Sequence, residues 1–218
     1  MCLNINVVGK CFLVGFLFLS HSLWSQDWEL KDEEDGIKVY TRQVEDSDIK
    51  AIKVECTVEE ATLSQLAAVI LDIPASDQWV YATKLCRTEK IISPREFIYY
   101  SEIEVPWPAS NRDFIVRVKV EQDSLTKKMT VGGENLPTYL NEKEGVVRIM
   151  HTESQWTVIP EANNLKIEFV LHVNPGGSIP AWLINLFASR GPMETFLNLR
   201  SQIRKPQYRD ASFPFLVD

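Results

Sequence analysis

After Trp28 the chain is dominated by alternation of apolar and polar residues, broken twice by helical spacing. IKVYTRQV (37–44) and IKAIKVECTV (49–58) carry a period of two and are rich in β-branched residues; the turn-like EDSD separates them. EEATLSQLAAVILDI (59–73) then switches period, putting Leu63, Leu66, Ala67, Ile70 and Leu71 on one face. Thr57 is the expected N-cap of that helix, and Pro74 ends it. A looser stretch with Trp79 and Tyr81 follows. Strand patterns return at 86–93, 96–105, 112–122, 127–133, 146–161 and 165–173. SPRE, DSLTK and PEANN have the length and residues of hairpin turns. Consecutive strands joined so tightly pair antiparallel, because parallel strands need long crossovers. The last element, from Ile179 to about Lys205, is predicted helical, with a kink or break at Gly191-Pro192. The chain therefore predicts an α+β fold: a strongly twisted antiparallel sheet closed by one long amphipathic C-terminal helix.

The first 25 residues change the picture of the domain. Lys10 precedes the apolar run CFLVGFLFL, and small and polar residues follow up to Ser25. That order is the order of a signal peptide, and the run is too short to span a bilayer as a helix. The predicted organisation is a signal peptide at 1–25, a domain at 26–210 and a tail at 211–218, with export to a periplasm or the exterior. Beyond the leader, 22 basic residues stand against 30 acidic ones, a net charge of −8 that argues against nucleic acid as a partner. Cys56 and Cys86 are the cysteines left in that part, either as a disulfide or as two buried, inert thiols.

The sequence assembles no catalytic constellation. His151 and His172 each sit in a strand pattern, and no G-x-S-x-G, H-E-x-x-H or paired C-x-x-C occurs. The glycine pairs in VGGEN and NPGGS lack the Walker lysine and read as turns. Neither a cofactor nor a metal is called for. A sheet closing on an amphipathic helix can instead enclose apolar volume, for which Trp182, Phe187, Met193 and Phe196 are either lining or ordinary core.

Two longer motifs carry a resemblance. VPWPASNRDFIVRV resembles the loop and following strand of START (lipid-transfer) domains, and NPGGSIPAWLINLFASRGPMETFLNLR is similar to that family's final strand-to-helix passage. The pattern is nearest to the phosphatidylcholine-transfer type and covers residues 27–206. The resemblance implies a helix-grip fold whose tunnel holds a single lipid or other hydrophobic molecule. It implies a gate made of the 105–112 loop and the helix from Ile179. The residues it points to are Tyr99, Ser101, Trp107, Arg112, Phe114, Phe169, Trp182, Leu186, Phe187, Met193 and Phe196. Trp107, clasped by Pro106 and Pro108, is expected at the mouth, for a transient membrane-surface contact or as a packed anchor. Strand alternation turns Asp113 away from the face shared by Arg112 and Phe114, leaving Arg112 to a ligand headgroup or to a fold-fixing ion pair.

The chain departs from the family's better-known members. Ser101 stands where the phosphatidylcholine-binding type has a tryptophan, and Tyr99 and Val118 stand where sterol-binding relatives have a charged pair, so phosphatidylcholine is not the expected ligand. Between 190 and 209 the helix carries a local charge of +4, Glu194 opposing five basic residues, which suits either an anionic bilayer or a solvated helix end. Two other readings remain open here. One is a cyclase-type helix-grip enzyme, which would need His151, His172 or Glu102 inside the cavity; the other is a chaperone-like module with a filled interior.

Overall fold

The computed structural model describes residues 27–177, 184 and 186–218, Leu186 in its backbone alone. The predicted leader and Trp182 lie outside the described residues. Among the described residues there are ten strands: β1 (Glu29–Glu34), β2 (Ile37–Arg42), β3 (Ala51–Val58), β4 (Thr83–Ser93), β5 (Glu96–Ile103), β6 (Asn111–Gln122), β7 (Met129–Asn135), β8 (Val146–Arg148), β9 (His151–Glu161) and β10 (Asn164–Asn174). The α-helices are α1 (Leu63–Leu71) and α2 (Gly191–Gln202). The strands pair in the order β1-β2-β3-β10-β9-β7-β6-β5-β4, all antiparallel, with β8 parallel beside β6. This is the α+β, helix-on-sheet architecture that the patterns predict.

Several local expectations are corrected. The 146–161 run is two strands, because its first part pairs in parallel with β6, ending on the Ile149 N–H bond to the Asp113 carbonyl at 2.8 Å, and its second pairs with β7 and β10. VGGEN lies within β7 and is no turn. Gly133 is required there: a Cβ would stand 2.5 Å from Ser154 Oγ and 3.1 Å from Val116 Cγ1. The N-cap of α1 is Thr62, not Thr57. Its hydroxyl accepts from Gln65 N while Gln65 Oε1 accepts from Thr62 N, a complete capping box. Cys56 and Cys86 are free thiols on β3 and β4, strands separated by five others. Burial pushes the Cys56 thiol up to about 12.

Gly191-Pro192 does not break the terminal helix. Arg190 has helical angles (φ −64°, ψ −44°), and the turn before it, Leu186–Arg190, is π-helical. Proline has no N–H for the carbonyl four residues back and crowds it, and the wider turn absorbs that conflict. Residues 211–218 are likewise no free tail. Leu216 is buried, Gln122 brackets the backbone of Val217 at 2.8 and 2.9 Å, and Asp218 Oδ1 accepts from Ser64 N at 2.8 Å.

Three of the sheet's four buried charges, Glu102, Asp113 and Arg148, lie on its outer face, under the 136–145 loop. Arg148 meets Asp113 through two parallel bonds, Nε–Oδ1 at 2.7 Å and Nη2–Oδ2 at 3.1 Å. Its other donors reach the carbonyls of Pro137, Leu140 and Asn141. Glu102, 1% exposed, accepts from Lys143 at 2.6 Å, Lys84 at 2.9 Å and Asn111 at 2.8 Å. The Lys143 bond, then those of Lys84 and Asn111, hold its carboxyl down to about 2 against the opposing effect of burial. A depressed carboxyl contributes stability above its ordinary value of 4.5 and loses it as the pH falls toward about 2. Glu102→Gln is therefore expected to lower stability at neutral pH by about 2 kcal/mol, the two lysines being partly solvated. In urea unfolding at neutral pH and at about pH 2.5, the gap between wild type and variant should close at the lower pH. An equal gap at both pH values would mean that the carboxylate's charge is not what stabilises this corner.

Candidate functional site

The inward face of the sheet is more fully covered at one end than at the other, apart from half-buried Pro160 at the first and buried Thr152 and Arg112 at the second. On β10, Leu165 and Ile167 are buried, while Phe169, Leu171 and Val173 keep exposed surface. On β6 the same change falls between Val116 and Phe114, on β9 between Val158 and Trp156. On β5 it separates Phe97 from Tyr99 and Ile103, with Ser101 fully covered between them. Register makes these positions neighbours, Trp156 opposite Phe169 and Tyr99 opposite Val116. Four strands thus lose cover in one direction, away from α1 and toward the start of β6. The closed end is filled by α1 and by Phe196, whose ring lies 5.2 Å from Trp156 and 5.8 Å from Phe169. The open end is walled by Tyr99 and Phe114 (5.8 Å, edge-on) and by Tyr81 against Phe187 (6.3 Å). Burial raises the Tyr99 phenol well above its ordinary value, yet the side chain remains partly uncovered and its hydroxyl bonds to no described residue.

Arg112 stands at this partly covered end, near the start of β6. It is 4% exposed, shares the inward face with Phe114, and donates to three carbonyls: Ser110 in the loop, Pro175 and Gly176 in the turn after β10. Gly176 and Gly177 both have positive φ there (67° and 65°), which lets the turn present its carbonyls inward. Arg112 thus takes the fold-fixing role, through these carbonyls rather than an ion pair, and Asp113 faces outward to the loop, as alternation requires. Trp107 is 89% exposed and is not a packed anchor.

A START domain family model matches residues 18–207. The chain belongs to the START domain family. It is 34% identical to the structure of a STAR-related lipid transfer protein fragment from Xanthomonas axonopodis, at a TM-score of 0.75, over 82% of this chain and 99% of that one. It is 31% identical to the phosphatidylcholine transfer protein of Bos taurus over 169 residues, 75% of this chain and 78% of that protein. An uncharacterised Pseudomonas aeruginosa protein is 30% identical over 190 residues, 83% and 89% of the two chains.

Within this START domain the residues marked from sequence fall into separate groups. Tyr99, Phe114, Phe169 and Phe187 stand at the partly covered end. Ser101, Met193 and Phe196 are fully enclosed and belong to the packing behind it, Ser101 accepting from Cys86 Sγ at 3.1 Å. Trp182 and the Leu186 side chain lie outside the described residues. Trp156 and Tyr81 were not singled out, although Trp156 falls in phase with Val158 in the same alternation. His151, His172 and Glu102 all point to the outer face. The acid–base chemistry of a cyclase-type enzyme therefore finds none of its three candidates inside.

A concavity of about 930 Å³ also exists on the outer face, but its walls are ionic and mutually paired. Arg117 meets Glu96 at 2.5 Å and Glu134 at 3.6 Å, and Lys119 meets Glu121 at 2.5 Å. It is a solvated sheet surface. The basic side chains of the terminal helix are likewise occupied: Arg200 bonds the carbonyls of Asp35 and Thr57, Arg204 that of Glu59, and Lys205 Gln78 Oε1.

The gradient of cover can be measured. Ile167→Ala, at the filled end, should cost about 3 kcal/mol in denaturant unfolding, whereas Leu171→Ala, four residues along the same face, should cost about 1 kcal/mol. Equal losses would mean that the two ends are packed alike.

Proposed function

We propose that this START domain binds one lipid molecule in the space between its sheet and terminal helix and carries it between membranes without chemical change. The supporting observation is the directional loss of cover on the inward faces of β5, β6, β9 and β10, which leaves aromatic walls around an interior reached at the Arg112 rim. Burying acyl chains there is favourable by about 25 cal/mol per Å². The names of the relatives, which include transfer proteins for phosphatidylcholine and for ceramide, agree with that class of ligand.

The 105–112 loop and the segment from Ile179 form the gate in this reading, and Trp107 makes the transient membrane contact. An indole 89% exposed on a short proline-flanked loop suits the headgroup region of a bilayer. The N-terminal segment acts as a signal peptide, so the carrier works in a periplasm or outside the cell, where lipids must cross water.

Native mass spectrometry of protein purified without detergent, followed by lipid extraction, tests the reading. A stoichiometric lipid is expected. Phe187→Ala should reduce occupancy about tenfold at fixed lipid concentration, as loss of one well-packed aromatic contact does, with circular dichroism unchanged. Trp107→Ala should slow transfer between vesicles while leaving equilibrium occupancy intact. A protein that stays empty in a broad lipid extract would overturn the assignment.

A further inference from the structure

The inward face carries almost no charge. Among the described inward positions of β2 to β7, β9 and β10, Arg112 is the single ionisable side chain that carries a charge at neutral pH. Its guanidinium is already directed at three backbone carbonyls of the rim. The buried residues of α1 and α2 are apolar or neutral. The stretch SIPAWLINLFAS, residues 178–189, contains no charged residue at all. The remaining buried charges, Glu102, Asp113 and Arg148, lie on the opposite side of the sheet under the outer loop. The fold thus tolerates buried charge but segregates it from the interior.

We infer that the ligand is a neutral lipid, one whose polar part carries ester, amide or hydroxyl oxygens but neither a phosphate nor a quaternary ammonium. The inference rests on the lipid-binding reading above. A phosphate taken into this interior would lose its hydration without meeting a free cation, and a zwitterion would leave both charges unpaired, each a penalty of several kcal/mol. Lodging the phosphate at the rim does not avoid this, because Arg112 would have to release the carbonyls that join the loop to the turn. A neutral oxygen meets groups suited to it. The Tyr99 hydroxyl stands at the partly covered end without a described partner, and Trp79 Nε1, beside Trp156, is a buried donor also lacking one. Donors of this kind bind a carbonyl or hydroxyl oxygen.

The test uses the full domain and vesicles containing diacylglycerol, ceramide, phosphatidylcholine or phosphatidylglycerol with matched acyl chains. After removal of the vesicles, native mass spectrometry counts the lipid retained. Diacylglycerol or ceramide should be retained one to one, with at least tenfold lower occupancy by the two phospholipids. Tyr99→Phe, which keeps the ring, should lower occupancy by the neutral lipid three- to tenfold, the effect of one hydrogen bond. Equal or greater retention of phosphatidylcholine or phosphatidylglycerol overturns the inference while leaving lipid binding intact. Retention of none of the four overturns the lipid-binding reading with it. An unchanged Tyr99→Phe removes the phenol as the neutral anchor.

Discussion

One step along β6 sends two opposite charges to opposite faces of the sheet, and much of the structure hangs on that step. Arg112 points inward to the carbonyls of Ser110, Pro175 and Gly176, while Asp113 points outward to Arg148. Strand side chains alternate with a period of two, so a one-residue slip of β6 would exchange the pair. Asp113 would then enter an apolar interior without a partner, and Arg148 would be left buried and unpaired; breaking such a pair is worth about 3–5 kcal/mol. Two short-range contacts thus fix the register of a twelve-residue strand. Through it they fix which residues of β5 and β7 face inward.

The same step joins the two motifs that mark the family. Arg112 belongs to the tryptophan loop, and its acceptors Pro175 and Gly176 belong to the turn that leads to the terminal helix. The rim is held by a cation bonded to carbonyls, a contact in which neither partner is lost to solvent and no acid is spent. Burial pulls the Arg112 pKa below its ordinary value, but a guanidinium stays charged under any physiological condition. The contact is therefore independent of pH, in contrast to the Glu102 corner on the outer face.

Stability and binding are drawn from different regions. The filled end is packed by α1, the Thr62–Gln65 capping box and the last eight residues, with Leu216 and Asp218 pinned to the β6–β7 hairpin and to the first turn of α1. The partly covered end lies beneath the stretch where a π-helical turn precedes Pro192. A domain that must admit and release a large apolar molecule can leave that end under-packed only if the other end supplies the cohesion.

The amino-acid sequence by itself determined the strand alternation, the hairpins at SPRE, DSLTK and PEANN, the single long helix at the end and the two family motifs. These are local: each depends on period, turn chemistry or a contiguous string of residues. It also determined that residues 178–189 bring no charge, whatever they contact. What it left undecided needs distances between residues far apart in the chain. Whether Phe169 or Phe196 borders the ligand space cannot be read from spacing, because both are apolar residues in phase with a core face. Only packing shows one partly covered and the other enclosed. Alternation said that Asp113 faces away from Phe114, but Arg148, thirty-five residues later, is what makes that face a buried one. The basic residues of the terminal helix could serve a membrane or the fold equally by sequence, and the tertiary structure commits Arg200, Arg204 and Lys205 to neighbouring loops and side chains. Periodicity reports which way a side chain points; what it meets there is decided by the chain that folds over it.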